Sequence, residues 1–392
     1  MTAQIKTLSS YRISSSRVDL DLGDDSITVE LDSTPVGDLQ YARVGNTLVL
    51  GYLENDEAAD NPLENIGQGA IYSSHRHGNT HAEMQEALGL DNQWEKMSPK
   101  VQQRSAEMYL DALMAVPSFV KSFYTKKQIT KSEVRDVLWS QYLDPVKSYR
   151  WLDEDFPNVP AAAQVDIDAL HAQMLSTGEI GNPFRVKLDV YQHSGTSYSV
   201  SGEGMNCRFD TARGGAVWVP DSYAARALWE AALAPLGVTF ATADAVYAWV
   251  EDANGHYPGP NGTKQSYVLQ KPGFVTLCID GVTSVHATHE AAVEAAKAAL
   301  GDRFVPEQAF AVAQPLARER ARSACEVYSA WVNGECYGTV IKTMTLSGEA
   351  GELDATEDDC NTCSGYIGSD ASRTLVQEME ALINKLESKE VA

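Results

Sequence analysis

Three histidines lie within seven residues, His75, His77 and His81, with Glu83 just beyond. Neutral imidazoles suit zinc, copper, iron or nickel. The spacings are even, so an extended segment would point all three rings to one side, with Glu83 or His193 completing the ligand set. The spacing does not reproduce the helical H-E-x-x-H pattern of zinc proteases. Arg76 sits inside the group, so the same segment also suits general acid–base work, or a polar loop whose His and Arg bond locally. Further along, His193 lies in YQHSGTS and Asp210 in FDTARGGAVWVP. His193 and Ser194 are neighbours, and on a strand they point to opposite faces, so they do not make a nucleophile–base pair. His75, Arg76, His193 and Asp210 could instead converge from separate segments. That would give a His/Arg/Asp site of a hydrolase or nucleotide-processing enzyme, with histidine as acid or base near neutral pH. Cys360 and Cys363 form one C-x-x-C, which is half a zinc site, a redox pair or two ordinary thiols. No P-loop and no dinucleotide fingerprint is present, and the sequence assigns no cofactor.

The elements that must position these groups come in blocks. Residues 1–56 read as strands: Ile27, Val29 and Leu31 alternate, and Thr47 to Leu53 is a dense apolar run. Glu54 to Asn65 reads as an acidic loop, and Gly67 to Ser73 as a short strand. Residues 82–175 read as helices. Ser98-Pro99 is a cap followed by proline at the first helical position, Pro117 is expected to stop that helix, and Thr130 with Glu133 makes a capping box. Val186 to Tyr191, Thr196 to Val200 and Ala216 to Val219 read as strands, with Gly195 in a hairpin turn. Helices are expected over Asp221 to Leu233 and Thr242 to Val250. Asp280-Gly281 between two apolar runs predicts a type I′ hairpin, and Thr288 caps the helix that follows. A helix broken near Pro315 is expected over Pro306 to Trp331, then a strand over Glu335 to Thr345, an acidic loop over Gly348 to Asp359, and a last helix over Arg373 to Leu386. Segregated blocks predict an α+β fold, with a mixed or antiparallel sheet core and separate helical blocks. The divisions expected are 1–56, 57–175 and 176–392, with 57–370 as a single domain the alternative.

Four short motifs carry a resemblance. They are NPLENIGQGAIYSSHRHGNTH (Asn61 to His81), VYQHSGTSYSVSG (Val190 to Gly202), FDTARGGAVWVP (Phe209 to Pro220) and EVYSAWVNGECYGTVI (Glu326 to Ile341), with the shorter CSGYIG (Cys363 to Gly368) after them. In that order they resemble a family of uncharacterised bacteriophage and mobile-element proteins. The resemblance implies an accessory gene product of a phage, prophage or plasmid, acting in the bacterial cytoplasm. It carries no catalytic role over to this chain. Motifs so far apart are most simply explained if Gly67 to Ser73, Val186 to Tyr191, Ala216 to Val219 and Tyr337 to Ile341 meet in one core. Tyr191, Trp218 and Tyr337 would then be at least partly buried there, and His75, Arg76, His193 and Asp210 would lie along one rim. An Arg76–Asp210 ion pair is expected at that rim.

Composition narrows the partners. The chain has 54 acidic and 31 basic side chains, a net charge of −23. That disfavours direct nucleic-acid binding, which needs clustered lysine and arginine, and disfavours docking on an anionic membrane. No apolar run reaches the ~18 residues of a membrane span, and the N-terminus lacks the apolar core of a secretory signal. One short basic patch, Lys121, Lys126, Lys127 and Lys131, reads as a helix end and solvated loop. The first functional expectation is therefore a binding protein whose partner is a host or defence protein with a basic surface, occupied as by an acidic mimic of nucleic acid. The hydrolase or nucleotide-processing enzyme is the alternative, and a virion or assembly component the third.

Overall fold

The computed structural model describes residues 4–9, 17–23, 25–74, 80–90, 98–143, 165–242, 257–258, 264–265, 275–349 and 352–390. The apolar run predicted at Thr47 to Leu53 is buried on both faces because it runs through the middle of a five-stranded antiparallel sheet. Strands β1 (Lys6–Leu8), β4 (Val36–Val44), β5 (Thr47–Asn55), β15 (Cys336–Glu349) and β16 (Glu352–Ile367) stand in the order β1-β4-β5-β15-β16. Leu48, Leu50 and Tyr52 face a hairpin made of β2 (Arg17–Asp21) and β3 (Ser26–Glu30), whose inward residues are Val18, Leu20, Ile27 and Val29. Val49 and Leu53 face the other way, against Leu375, Met379 and Ile383 of the final helix α9 (Asp370–Glu390). The sheet is thus clamped between a hairpin and a helix. Gly51 permits the close approach of α9, since a Cβ there would lie 2.2 Å from the Met379 sulfur.

The N-terminal strands pair with one another and also with the far end of the chain: β4 pairs with β5, and β5 pairs along β15, with Tyr337 opposite Asn55 and Thr345 opposite Thr47. One expectation is corrected here. The acidic stretch Gly348 to Asp359 is not a loop. From Glu352 it is strand, paired with β15, while Leu353 and Ala355 pack against the β2–β3 hairpin core. Cross-strand pairing and this apolar fringe override a locally polar sequence.

The second sheet has four antiparallel strands, β6 (Ala70–Ser73), β9 (Thr211–Val219), β7 (Val186–Gln192) and β8 (Thr196–Val200), in the order β6-β9-β7-β8. Helices α6 (Ser222–Leu233) and α8 (Pro306–Val332) pack on it. The buried stripe of α8 is Ala309, Ala313, Ala317, Ala321 and Ala324, small residues at helical spacing that bring the helix close to the strands. Pro315 does not break α8. Proline removes one backbone bond, and continuous packing on either side holds the helix through it.

A helical block lies between these sheets in sequence: α1 (His81–Ala87), α2 (Pro99–Met114), α3 (Pro117–Lys127), α4 (Val134–Leu138) and α5 (Ile167–Ser176). The Ser98 hydroxyl caps α2 by accepting from the Val101 N–H, and the Thr130–Glu133 capping box forms. Pro117, expected as a stop, instead opens α3 at its first position, where its missing N–H costs nothing. A third sheet, β10 (Val238–Thr242), β13 (Val275–Ile279) and β14 (Val282–His286), carries α7 (His289–Leu300), capped by Thr288. Its hairpin turns on Asp280 and Gly281, both with positive φ (49° and 81°), as a type I′ turn requires. Two-residue strands β11 (Tyr257–Pro258) and β12 (Lys264–Gln265) pair with each other. The helix expected over Thr242 to Val250 lies outside the described residues beyond Thr242, which closes β10. With every described strand pair antiparallel and the helices segregated, the fold is α+β.

Candidate functional site

β7 runs antiparallel to β9, so its C-terminal end lies where β9 begins, with Tyr191 opposite Thr211, while β6 stops opposite Ala216, partway along β9. That end of the sheet gathers several of the singled-out residues. His193 leaves β7 in the tight turn to β8, its N–H donating to Gly195 O at 3.2 Å. Asp210 immediately precedes β9, and its carbonyl accepts from Gln192 N–H at 2.8 Å. This backbone bond brings the side chains together: His193 Nδ1 is 3.5 Å from Asp210 Oδ2. Cys207, which the sequence did not single out, donates its S–H to the same oxygen at 3.3 Å. A carboxylate behind an imidazole orients the ring, and the His193 ring, 69% exposed, is open to a surface reactant. Cys207 and His193 both converge on one carboxylate oxygen, whereas a nucleophile–base relay needs the histidine between thiol and acid.

His75, Arg76 and His77 lie outside the described residues, and so does the Arg76–Asp210 pair. Ser74, the residue before them, lies partway along β9 rather than at its start, its N–H bonded to Gly215 O at 3.3 Å. His81 is the first residue of α1, not part of an extended segment. Among the described residues no group of three His, Cys, Asp or Glu is placed to hold a metal ion. Cys360 and Cys363 are exposed thiols on β16.

The motif residues meet as expected in three cases and not in the fourth. Gly67 to Ser73, Val186 to Tyr191 and Ala216 to Val219 contribute β6, β7 and β9 of one sheet, with Trp218 fully buried and Tyr191 half-buried. Tyr337 to Ile341 belongs to β15, in the other sheet, and the half-buried Tyr337 packs beside α9. The single-core expectation is corrected to two cores, because β5 supplies the partner that β15 needs. The residues just before β15 make the link. Asn333 Oδ1 accepts from Thr196 N–H and its Nδ2 donates to Thr196 O, both at 2.9 Å, while Ser329 Oγ accepts from Tyr198 N–H at 2.9 Å. The end of α8 thereby closes the open edge of β8 with side chains that imitate a neighbouring strand. Gly195 leaves room for this, since a Cβ there would lie 2.6 Å from Asn333 Oδ1. Trp218 Nε1 donates to Gln68 O at 2.8 Å within the first motif, and Trp331 Nε1 to Ala59 O at 3.0 Å just before it. Much of the motif chemistry is structural.

Asp189, also missed, accepts from Ser201 Oγ (2.6 Å), Gly202 N–H (2.9 Å) and Gly214 N–H (2.8 Å). Burial pushes its carboxyl up, but these bonds outweigh it and hold the group below the usual range.

The acid of the chain is not evenly spread. Segments 1–60 and 336–392, which build the five-stranded sheet and its cover, contain 22 acidic and 8 basic side chains, a net of −14 out of the total −23. Asp354, Glu357, Asp358 and Asp359 are exposed along β16, the outer strand. One lysine of this body is withdrawn from the surface: Lys342, 1% exposed, pairs with Asp32 and with Glu357 (2.7 Å). Burial lowers the Lys342 ammonium, and the two carboxylates more than reverse this, holding it above the usual lysine range. An open cleft of about 930 Å³ lies elsewhere, between α1, the start of α2 and the α5–β7 connection, with Glu83, Glu86 and Glu179 against a single Lys100.

Comparison with protein-family models, with curated proteins and with solved structures finds no match for this chain. No helix among the described residues is long and apolar enough to cross a membrane.

Proposed function

We propose that the chain is an accessory protein of a phage or mobile element that works by binding a host or defence protein through the acidic surface along β16 and the body built on the five-stranded sheet, in place of nucleic-acid phosphate. The observation that carries this reading is the concentration of charge: a net of −14 on two segments that fold into one body, with the exposed acids of β16 at its margin. A surface of one sign steers and holds a partner of the other, and such binding weakens as salt screens it. The motif resemblance supplies the phage context. The test is capture from bacterial lysate by the wild-type chain and by an Asp354→Asn, Asp358→Asn, Asp359→Asn variant, with duplex DNA as competitor. The reading expects basic proteins retained by the wild type, released by DNA and not retained by the variant. Retention of the same proteins by both chains refutes it.

A second reading, a hydrolase or nucleotide-processing enzyme, is supported by the meeting of His193, Asp210 and Cys207 at one sheet end. It expects turnover of a chromogenic ester or phosphodiester that is lost in His193→Ala. Turnover that is absent, or unchanged by that substitution, refutes it.

A further inference from the structure

β16 ends the five-stranded sheet, and among the described residues no strand pairs with its outer edge. The strand is 16 residues long. Along Glu352–Glu357 its register against Glu349–Met344 is unbroken, and the first irregularity falls at Asp358. A regular run of this length presents a row of outward N–H and C=O groups, the feature to which an extended peptide adds as a further strand. The other exposed edge near the candidate site, that of β8, is closed by Asn333 and Ser329, so the contrast lies within one molecule.

The side chains along the run say what would fit. Leu353 and Ala355, half-buried, lean on the β2–β3 core and leave an apolar fringe on one face. Asp354 and Thr356 alternate with them and point to the opposite face, where Asp358 also turns to bond Thr345 Oγ1 at 2.7 Å. A second copy of this chain is a poor occupant, because antiparallel pairing of two β16 edges sets acid against acid, and like charges directly opposite are destabilising. A strand that alternates apolar residues with lysine or arginine satisfies both faces.

We propose that the Glu352–Glu357 edge of β16 takes up an extended basic segment of a partner protein by strand addition, with its lysines or arginines against Asp354 and Asp358 and its apolar residues beside Leu353 and Ala355. This rests on the acidic-face reading and names how the partner is held. The probe is a fluorescein-labelled peptide of alternating valine and lysine, compared with the same peptide N-methylated at alternate backbone amides. Both are titrated into the full chain by fluorescence anisotropy. Strand addition predicts that the parent binds at least about tenfold more tightly than the methylated peptide. It also predicts that an Asp354→Lys, Asp358→Lys variant with unchanged circular dichroism loses the lysine peptide and gains its valine–glutamate counterpart. Equal binding of the parent and methylated peptides overturns strand addition while leaving the acidic face as a docking surface. No binding of either, or no change of preference in the variant, overturns it as well.

Discussion

Removing the two acids around Lys342 and removing Lys342 itself have very different expected consequences. The ammonium is 1% exposed, while the Asp32 and Glu357 side chains are 73% and 47% exposed. At an effective dielectric of about 20, a unit charge pair at ~4 Å attracts by about 4 kcal/mol. Desolvating an ammonium costs several kcal/mol, so each pair roughly offsets the burial. In Lys342→Met the stem is replaced by a chain of similar length, and the two carboxylates rehydrate where they stand. That variant is expected to unfold within about 1 kcal/mol of wild type. In Asp32→Asn, Glu357→Gln the ammonium stays buried without a counter-charge, and the expected loss is about 3 kcal/mol, at the lower end for a broken buried pair because the amide oxygens still accept. Urea unfolding at constant m-value measures both. The folded-state value of Lys342 is raised, so its contribution is complete below the ordinary lysine value of 10.5 and is lost only as pH climbs beyond that. The difference between the variants is therefore expected to be the same at pH 6 and pH 8. Equal losses in the two variants would refute the asymmetry, and with it the placement of this ammonium away from water.

His289 gives the opposite pH signature. Burial, helped by Arg226, pulls its value down to about 4, and its Nε2 is buried without a hydrogen-bond partner, 3.8 Å from Glu230 Oε1. The unfolded chain takes up a proton near the ordinary 6.5 and the folded chain does not, so stability present above that value is lost between pH 6.5 and about 4, by about 2–3 kcal/mol. His289→Leu is expected to flatten this loss in urea midpoints taken at neutral and acid pH, and an unchanged pH slope would count against it. Asn333→Ala strands the Thr196 N–H and C=O, with an expected cost of about 1–3 kcal/mol by thermal unfolding and faster amide exchange at Thr196. Exchange at Thr196 that stays as slow as in wild type would show that α8 does not close that edge.

Features set by a few neighbouring residues were legible in the sequence. Ser98 with Pro99, Thr130 with Glu133, Asp280 with Gly281 and Thr288 each specify a cap or turn from their own chemistry, and each forms as read. What failed depended on distant partners. Nothing local announces that β5 will pair with β15, at the far side of the intervening helical block and second sheet in sequence. The acidic Glu352–Asp359 stretch looks like a loop until β15 and the β2–β3 hairpin supply its pairing and its apolar contacts. Pro117 and Pro315 were read as breaks by the same local rule, and context made one a helix start and left the other inside a helix. At the candidate site the meeting of His193 with Asp210 follows from motifs lying on adjacent strands, which the sequence suggested. Cys207 was missed, although its position three residues before Asp210 at a turn was the available signal. The burial of Lys342 between two acids had no local signal, since each partner comes from a different strand or loop.

The central claim is that the acidic sheet body binds a basic partner. Its most direct test is the dissociation constant of a captured partner, measured for the wild type and for the Asp354→Asn, Asp358→Asn, Asp359→Asn variant from about 50 to 300 mM salt. Wild-type binding is expected to weaken by about tenfold or more across that range, and the variant to be weaker at low salt with the gap closing as salt rises. A dissociation constant that is indifferent to salt, or the same for both chains throughout, would contradict it.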